Sequence, residues 1–312
     1  MVVGVSPVTR RPWPVARSLE PQAPSPYTDP VITRSRLLAS LGALLVGAYV
    51  HAQFGQQPAK LTVQKLRDDI FVIHNDYVPG NTTAMVTSAG VVLVDDKFEI
   101  DHENILAQLK TITNQPVKYV INTHHHGDHS GGNARLQAMG VQAVSSQRAR
   151  EHMVDGGQPG LTDVTFEGHA TLFLGGKRVD LYTPGRAHTS GDAVVLFPAQ
   201  RVLAAGDLFT TGTDTPQLVD YPGGGSAKDW PLTVDNVLKL DFDIVVPGHG
   251  TVVDKPAMRT FRTSTERLKN RVHELLQKKA SRADVEKMLR AEFNYADFHI
   301  TASLDGLLNE LR

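Results

Sequence analysis

Cysteine is absent from this 312-residue chain, and its absence removes disulfides, thiolate metal sites and cysteine nucleophiles together. Any strong metal site must therefore be built from histidine, aspartate and glutamate, and cysteine usage carries no report on the redox compartment. An excess of basic charge is missing as well. Against 33 acidic residues stand 32 basic ones, a formal net charge of −1, so the basic surface of a nucleic-acid partner is not signalled. Long hydrophobic runs are scarce: the apolar stretch from Leu37 to Val50 falls short of the roughly 20 residues that cross a bilayer. What remains, 41% hydrophobic and 21% charged, is ordinary globular usage with enough chain for a substantial core.

The stretch RSRLLASLGALLVGAYVHA, residues 34–52, has two arginines, an apolar run and a small-residue ending. This is the layout of a secretory signal peptide, with cleavage expected after Ala52 and no stable membrane span afterwards. The expected location is periplasmic or secreted. Residues 1–30, rich in proline and arginine, read as a disordered leader or as a start codon assigned too early. Removing residues 1–52 takes away five arginines and two acids, which moves the formal charge from −1 to −4.

From Gln53 onward no linker or repeat interrupts the chain, so residues 53–312 are expected to form one compact domain. Short β-like runs open it at 61–66, 69–75, 82–87 and 91–96, separated by turn signals at Pro79-Gly80-Asn81 and Ala89-Gly90. A helical period at 100–113, with Ile105, Leu106, Leu109 and Ile112 on one face, precedes a strand at 117–122. A second set of strands is expected near 177–183, 192–197, 201–206 and 243–248, with a helix near 230–240. The pattern is mixed α/β in two similar halves. Beyond about residue 255 the chain reads as helical: Met258, Phe261, Leu268, Val272 and Leu275 form a stripe suited to core packing, and Ser281 with Asp284 forms a capping-box start.

At the carboxyl end of the 117–122 strand stands THHHGDHSGG, four histidines and one aspartate in ten residues. In extended chain His124 and His126 point one way and His125 the other. Gly127 is read as permitting a sharp turn that brings Asp128 and His129 inward, and Gly131 and Gly132 as allowing close backbone approach. A solvated accident would have no partners elsewhere. Three segments supply them beyond later strands: His188 in TPGRAHTSGD, Asp207 in AAGDLF and His249 in VPGHG. Strand ends of this kind are where α/β folds place ligands. Five histidines and two carboxylates exceed one tetrahedral zinc and suit two ions.

The pattern HxHxDH followed by His, Asp and His after successive strands resembles the metallo-β-lactamase fold superfamily, over approximately residues 61–252. The resemblance implies a four-layer αβ/βα sandwich with two mixed sheets inside, helices outside, and here additional C-terminal helices. It implies that His124, His126 and His188 hold a first metal, that Asp128, His129 and His249 hold a second, and that Asp207 bridges them and holds the bridging water. Two zinc ions are the expected cofactors, with iron or manganese as other occupants. Asp95, in VLVDD, looks like the family's acidic residue ending an early strand and is read as orienting a ligand.

The expected reaction is hydrolysis, with a metal-bridging hydroxide attacking a carbonyl and Asp128 or its solvent serving the leaving atom. The substrate is expected to be a small molecule: an ester, lactone, thioester or cyclic amide. A class B-like β-lactamase, a mononuclear iron oxygenase of the same fold and a non-catalytic periplasmic metal-binding module are the competing readings. Tyr77, in NDYVPGN, and Tyr221 and Ser226, in the long loop 209–230, are expected at the pocket. His74, His102, His152 and His273 have no motif partner and are read as non-functional.

Overall fold

The computed structural model describes residues 57–212 and 218–312, so the signal-peptide reading of residues 34–52 lies outside them. Thirteen strands among the described residues form two mixed sheets. The first runs in chain order through β1 (Thr62–Lys65), β2 (Ile70–His74), β3 (Thr82–Thr87), β4 (Gly90–Val94), β5 (Val117–Asn122), β6 (Gln142–Ser146) and β7 (Val164–Phe166). Its first four strands are an antiparallel meander and the last three pairings are parallel. The second sheet has the order β13-β12-β11-β10-β9-β8, built from β8 (His169–Leu174), β9 (Lys177–Tyr182), β10 (Val194–Phe197), β11 (Val202–Gly206), β12 (Ile244–Pro247) and β13 (Val253–Asp254). There only β11 and β12 pair in parallel.

The layering follows from alternation along strands whose two faces are both buried. In β4, Val92 and Val94 face the second sheet, packing with Val195, Phe197, Val202, Ala204 and Val246. Their neighbours Val91 and Leu93 face outward with Ile105 and Leu109 of helix α1 (His102–Ile112) and Leu136 of α3 (Asn133–Ala138). The second sheet repeats the division. Val194, Leu196, Leu203 and Val245 turn away from the first sheet into a core shared with α5 (Trp230–Leu238), α6 (Lys255–Gln277), α7 (Arg282–Phe293) and α8 (Asp297–Glu310). Each aliphatic side chain so buried is worth roughly 1.5–3 kcal/mol relative to exposure. The result is the expected αβ/βα sandwich, and the stripe Met258, Phe261, Leu268 and Val272 is core.

Helix ends are fixed locally. Ser146 caps α4 (Gln147–Asp155), its Oγ accepting the Ala149 N–H. Ser281 and Asp284 form the capping box of α7, which ends at Asn294 in the left-handed region. Three expectations need correction. The strand expected at 192–197 begins only at Val194, because the Asp192 carboxylate turns back to accept the N–H and hydroxyl of Thr189. Strands β6, β7, β8 and β13 and helices α2 (Gly127–Ser130), α3 and α4 have no counterpart in the sequence reading. Gly127 opens the short helix α2 with open space where a Cβ would stand; the close approach is at Gly131, whose Cβ would lie 2.4 Å from the Gly127 carbonyl oxygen. Among the described residues no helix is long and apolar enough to cross a membrane.

Candidate metal centre

Parallel strands β4 and β5 of one sheet and β11 and β12 of the other end on the same rim of the sandwich. Immediately beyond them come Asp95, the 123–129 segment, Asp207 and His249, and His188 joins them from the connection between β9 and β10. Two polar runs from the far ends of hydrophobic strands thus meet where the core ends. Close approach of the chains is enforced at Gly248, where a Cβ would lie 1.9 Å from Asp207 Oδ1.

The seven side chains expected to bind metal converge, and they do so in two overlapping halves. His124, His126 and His188 present ligand atoms within 4.8 Å of one another, as do Asp128, His129 and His249; Asp207 groups with His124 and His129. Asp207 lies between the halves: its Oδ2 is 3.6 Å from His188 Nε2 and 3.3 Å from His249 Nε2, and its Oδ1 is 3.2 Å from His129 Nε2. Asp128 Oδ2 is 3.3 Å from His249 Nε2.

The outward nitrogen of each ring is tied down, which selects the nitrogen that faces the centre. His188 Nδ1 donates to the Leu218 carbonyl at 2.9 Å, and His249 Nδ1 to that of Tyr77 at 2.8 Å. His129 Nδ1 donates to Asp95 Oδ2 at 2.8 Å. Asp95 itself is buried, with both oxygens also accepting from Thr123, its N–H and its hydroxyl each at 2.8 Å. His124 Nδ1 meets the same Thr123 hydroxyl at 3.1 Å. Asp95 therefore sits where an orienting carboxylate should.

Do these residues suit metal ions? Two observations say that they do. His124 Nε2 is buried and without a hydrogen-bond partner, an arrangement costly for a polar atom unless a ligand satisfies it. Imidazole nitrogens also face each other closely, His126 Nδ1 to His188 Nε2 at 3.0 Å and His129 Nε2 to His249 Nε2 at 3.2 Å.

Protonation differs within the cluster. Burial pushes His188 down to about 4 and, with its imidazole neighbours, holds His124 well below the ordinary value, so both are neutral and ready to ligate. Burial alone would also lower His129, but the carboxylates of Asp207, Asp128 and Asp95 overcome it and raise this group to about 10. The same contest leaves His249 well above the ordinary value, through Asp207 and Asp128. His126 is raised by its hydrogen bond to Asp220 despite burial. Acidic and imidazole groups in one dry cluster shift each other in this way when no ion is present.

Of the three expected pocket residues, only Tyr77 reaches the site. Its ring centroid lies 5.2 Å from that of His249. Tyr221 and Ser226 do not: the Tyr221 hydroxyl donates to Glu310 at 2.8 Å and the Ser226 hydroxyl to the same carboxylate at 2.5 Å, both directed to the C-terminal helix. His125, expected to point away, is buried beside the cluster: its Nε2 lies 3.7 Å from Asp220 Oδ2, grouped with His126 and Asp220, and its ring is 4.7 Å from that of His152. His152, which has no motif partner in the sequence, is thus drawn into the layer behind the site, its Nε2 2.8 Å from Ser190 Oγ. His74 and His273 lie on other contacts, with Thr62 and the Leu311 carbonyl.

Two contributors escape the sequence reading. Asp220, nearly fully buried, places Oδ2 at 2.9 Å from His126 Nε2; it belongs to no motif, and only its position thirteen residues past Asp207, in the loop expected to frame the pocket, hinted at it. Lys97 is fully buried and donates to Gly80 O at 2.5 Å and Asn75 Oδ1 at 3.1 Å, fastening the 75–81 loop under the site.

A two-sheet sandwich with a histidine and aspartate cluster on its rim defines a metal-dependent hydrolase, and the chain belongs to the metallo-beta-lactamase superfamily, whose sequence model matches residues 76–249. Among its relatives, a metallo-beta-lactamase type 2 from Elizabethkingia meningoseptica is 27% identical over 215 residues, covering 66% of this chain and 85% of the relative. One of the same name from Bacillus cereus is 27% identical over 217 residues, covering 66% and 82%. A solved metallo-beta-lactamase from Pontibacter korlensis superposes with a TM-score of 0.61 at 27% identity, covering 66% of this chain and 99% of that one.

Proposed function

We propose that the cluster holds two zinc ions, one on His124, His126 and His188 and the other on Asp128, His129 and His249, with Asp207 shared between them. The reading extends to an exported enzyme that hydrolyses the carbonyl group of an ester, lactone, thioester or cyclic amide. The observation that carries it is the convergence of seven N and O donors with His124 Nε2 left buried and unpartnered at their centre. When bound, such a pair of ions supplies a hydroxide nucleophile near neutral pH and polarises the scissile carbonyl.

The chain's own groups account for the rest. Asp95, Leu218 O and Tyr77 O fix three imidazoles in the tautomer that offers Nε2 inward. Asp128, buried with its Oδ2 3.3 Å from His249 Nε2, would serve the leaving atom directly or through its solvent. The ring of Tyr77 forms one wall. The two complete donor sets speak against a mononuclear iron oxygenase, which would need only one.

A narrower reading is that the substrate is a β-lactam, a strained cyclic amide. It is supported by the names of the type 2 relatives; against it, the chain has no cysteine to serve as the second-site ligand typical of many β-lactamases of this fold, and Asp207 resembles the aspartate-bridged hydrolases more.

The test is zinc content by mass spectrometry on the purified chain, run with nitrocefin, an acyl-homoserine lactone and a thioester. Near two zincs per chain, turnover of one probe and its loss in Asp128→Asn are expected. One iron with oxygen consumption would overturn the hydrolytic reading, and two zincs without turnover of any carbonyl substrate would leave a binding module. Appearance of a shortened chain in the periplasmic fraction tests export.

A further inference from the structure

Helix α8 lies beyond residue 249, where the family match ends, yet it grips the segment that holds two of the candidate ligands. Three positions on one of its faces do this, at the helical spacing of about three to four residues. Ser303, fully buried, accepts the Val219 N–H at 3.1 Å and donates to the Val219 carbonyl at 3.2 Å. At Gly306 a Cβ would lie 2.0 Å from Tyr221 Cδ2, so the Tyr221 ring rests directly on the helix backbone. The Glu310 carboxylate then collects three donors, the hydroxyls of Tyr221 and Ser226 and the Lys228 N–H at 3.2 Å.

The other side of the same segment faces the cluster. Leu218 O accepts from His188 Nδ1, the Asp220 N–H donates to the His188 carbonyl at 2.9 Å, and the Asp220 carboxylate takes His126 Nε2. The Ser226 N–H donates to Ala187 O at 2.9 Å. Residue 219, clasped by Ser303, thus lies between the two residues that orient His188 and His126. A helix serving only to cover apolar surface has no need of this polar clasp, which meets donors at both ends of the segment.

We propose that α8 is a positioning element for the His126 and His188 half of the centre, acting through Ser303 and Glu310 on residues 218–228. The inference rests on the reading of His126 and His188 as metal ligands. None of these residues touches substrate, so their effect is on metal affinity and geometry.

The test uses the full-length chain carrying Ser303→Ala, Glu310→Gln or, as a comparison on α7, Val285→Ala, which removes buried volume from the same helical layer. Zinc affinities are measured by competition with a chromophoric chelator, and kcat and KM at limiting and saturating zinc. Direct outer partners of metal ligands are worth about 10–100-fold in affinity; one step further out, Ser303→Ala and Glu310→Gln are expected to weaken one zinc equivalent by about three- to tenfold. That equivalent is the one His188→Ala abolishes, and saturating zinc should restore kcat. Val285→Ala should lower Tm and leave both affinities unchanged. If the Ser303 and Glu310 variants lose only Tm, as Val285→Ala does, α8 merely packs and the proposal fails. If the wild-type chain binds no zinc, or Asp220→Asn and His188→Ala leave both equivalents intact, the ligand reading falls first and takes the proposal with it.

Discussion

Asp95→Asn isolates one hydrogen bond of the centre with little other disturbance. Asp95 lies at φ +61, a left-handed conformation that asparagine tolerates nearly as well as aspartate, and the two side chains have similar volume. The carboxylate accepts three hydrogen bonds, each 2.8 Å long, from the N–H and hydroxyl of Thr123 and from His129 Nδ1. The amide has one oxygen. If that oxygen keeps the Thr123 N–H, the NH2 group faces the hydroxyl, which can rotate, and His129 Nδ1, which can only accept by moving its proton to Nε2. That atom faces Asp207 at 3.2 Å and is the one expected to ligate. A metal must then displace a proton that the carboxylate had kept on the far side of the ring. Loss of a charge-assisted bond is worth about 1.5–3 kcal/mol, and loss of an outer partner about 10–100-fold in metal affinity, or about 1.4–2.8 kcal/mol. The two ranges agree. Competition with a chelator should therefore show one of two zinc equivalents weakened by at least about tenfold, with kcat/KM falling at limiting zinc. Asp95→Asn protein with both affinities equal to wild type would refute the claim that Asp95 sets the His129 tautomer.

Other expectations follow from the same geometry. At Gly80 a Cβ would stand 2.2 Å from His129 Cε1, so Gly80→Ala should cost the second zinc equivalent while the circular dichroism spectrum stays that of the wild type; retention of both zincs would count against the packing described. Metal-free protein should lose stability as pH rises: His129, raised from 6.5 to about 10, and His249, raised well above 6.5, contribute fully below 6.5 and lose that contribution as pH climbs, and together they outweigh the buried Lys97 amine, lowered from 10.5 to about 7, whose contribution runs the other way. With zinc bound, His129 and His249 carry no proton in the folded state, so this slope is removed: melting temperatures with chelator should fall between pH 7 and 9.5 while those with zinc should not, and parallel slopes would exclude this cause. Phe197→Ala, between the sheets and fully buried, should cost about 3–5 kcal/mol in urea unfolding and leave zinc stoichiometry at 25 °C unchanged; a loss under 1 kcal/mol would mean that the inter-sheet layer can collapse around the gap.

Much of this arrangement is legible in the residue order, and the division between what is legible and what is not has a physical basis. Strands β3 and β5 stand where their sequences place them, because short runs rich in β-branched and aromatic residues bounded by turn residues read as strand even where one end is exposed. Strand β8 carries the opposite signature: it lies at the edge of its sheet and alternates exposed with half-buried residues, so its HATLFL reads as weakly as a loop. Helix α4 is short and its buried side chains are few, Ala149 and Met153, too little period to recognise. The seven converging donors were legible because each is local: a metal-competent residue just past a strand, next to glycine. The groups that orient them, Asp220 and the carbonyls of Tyr77 and Leu218, act through side-chain direction and loop path, which residue order does not encode at that range. The same limit explains Tyr221 and Ser226. Loop composition marked both for the pocket, but their hydroxyls answer to Glu310, 89 and 84 residues further along the chain. A carboxylate so distant can claim them only because α6, α7 and α8 have already folded back over the second sheet. The donors of the centre are thus set by local sequence, whereas their orientation depends on tertiary contacts reaching as far as the last helix, which lies beyond residues 76–249 matched by the family model.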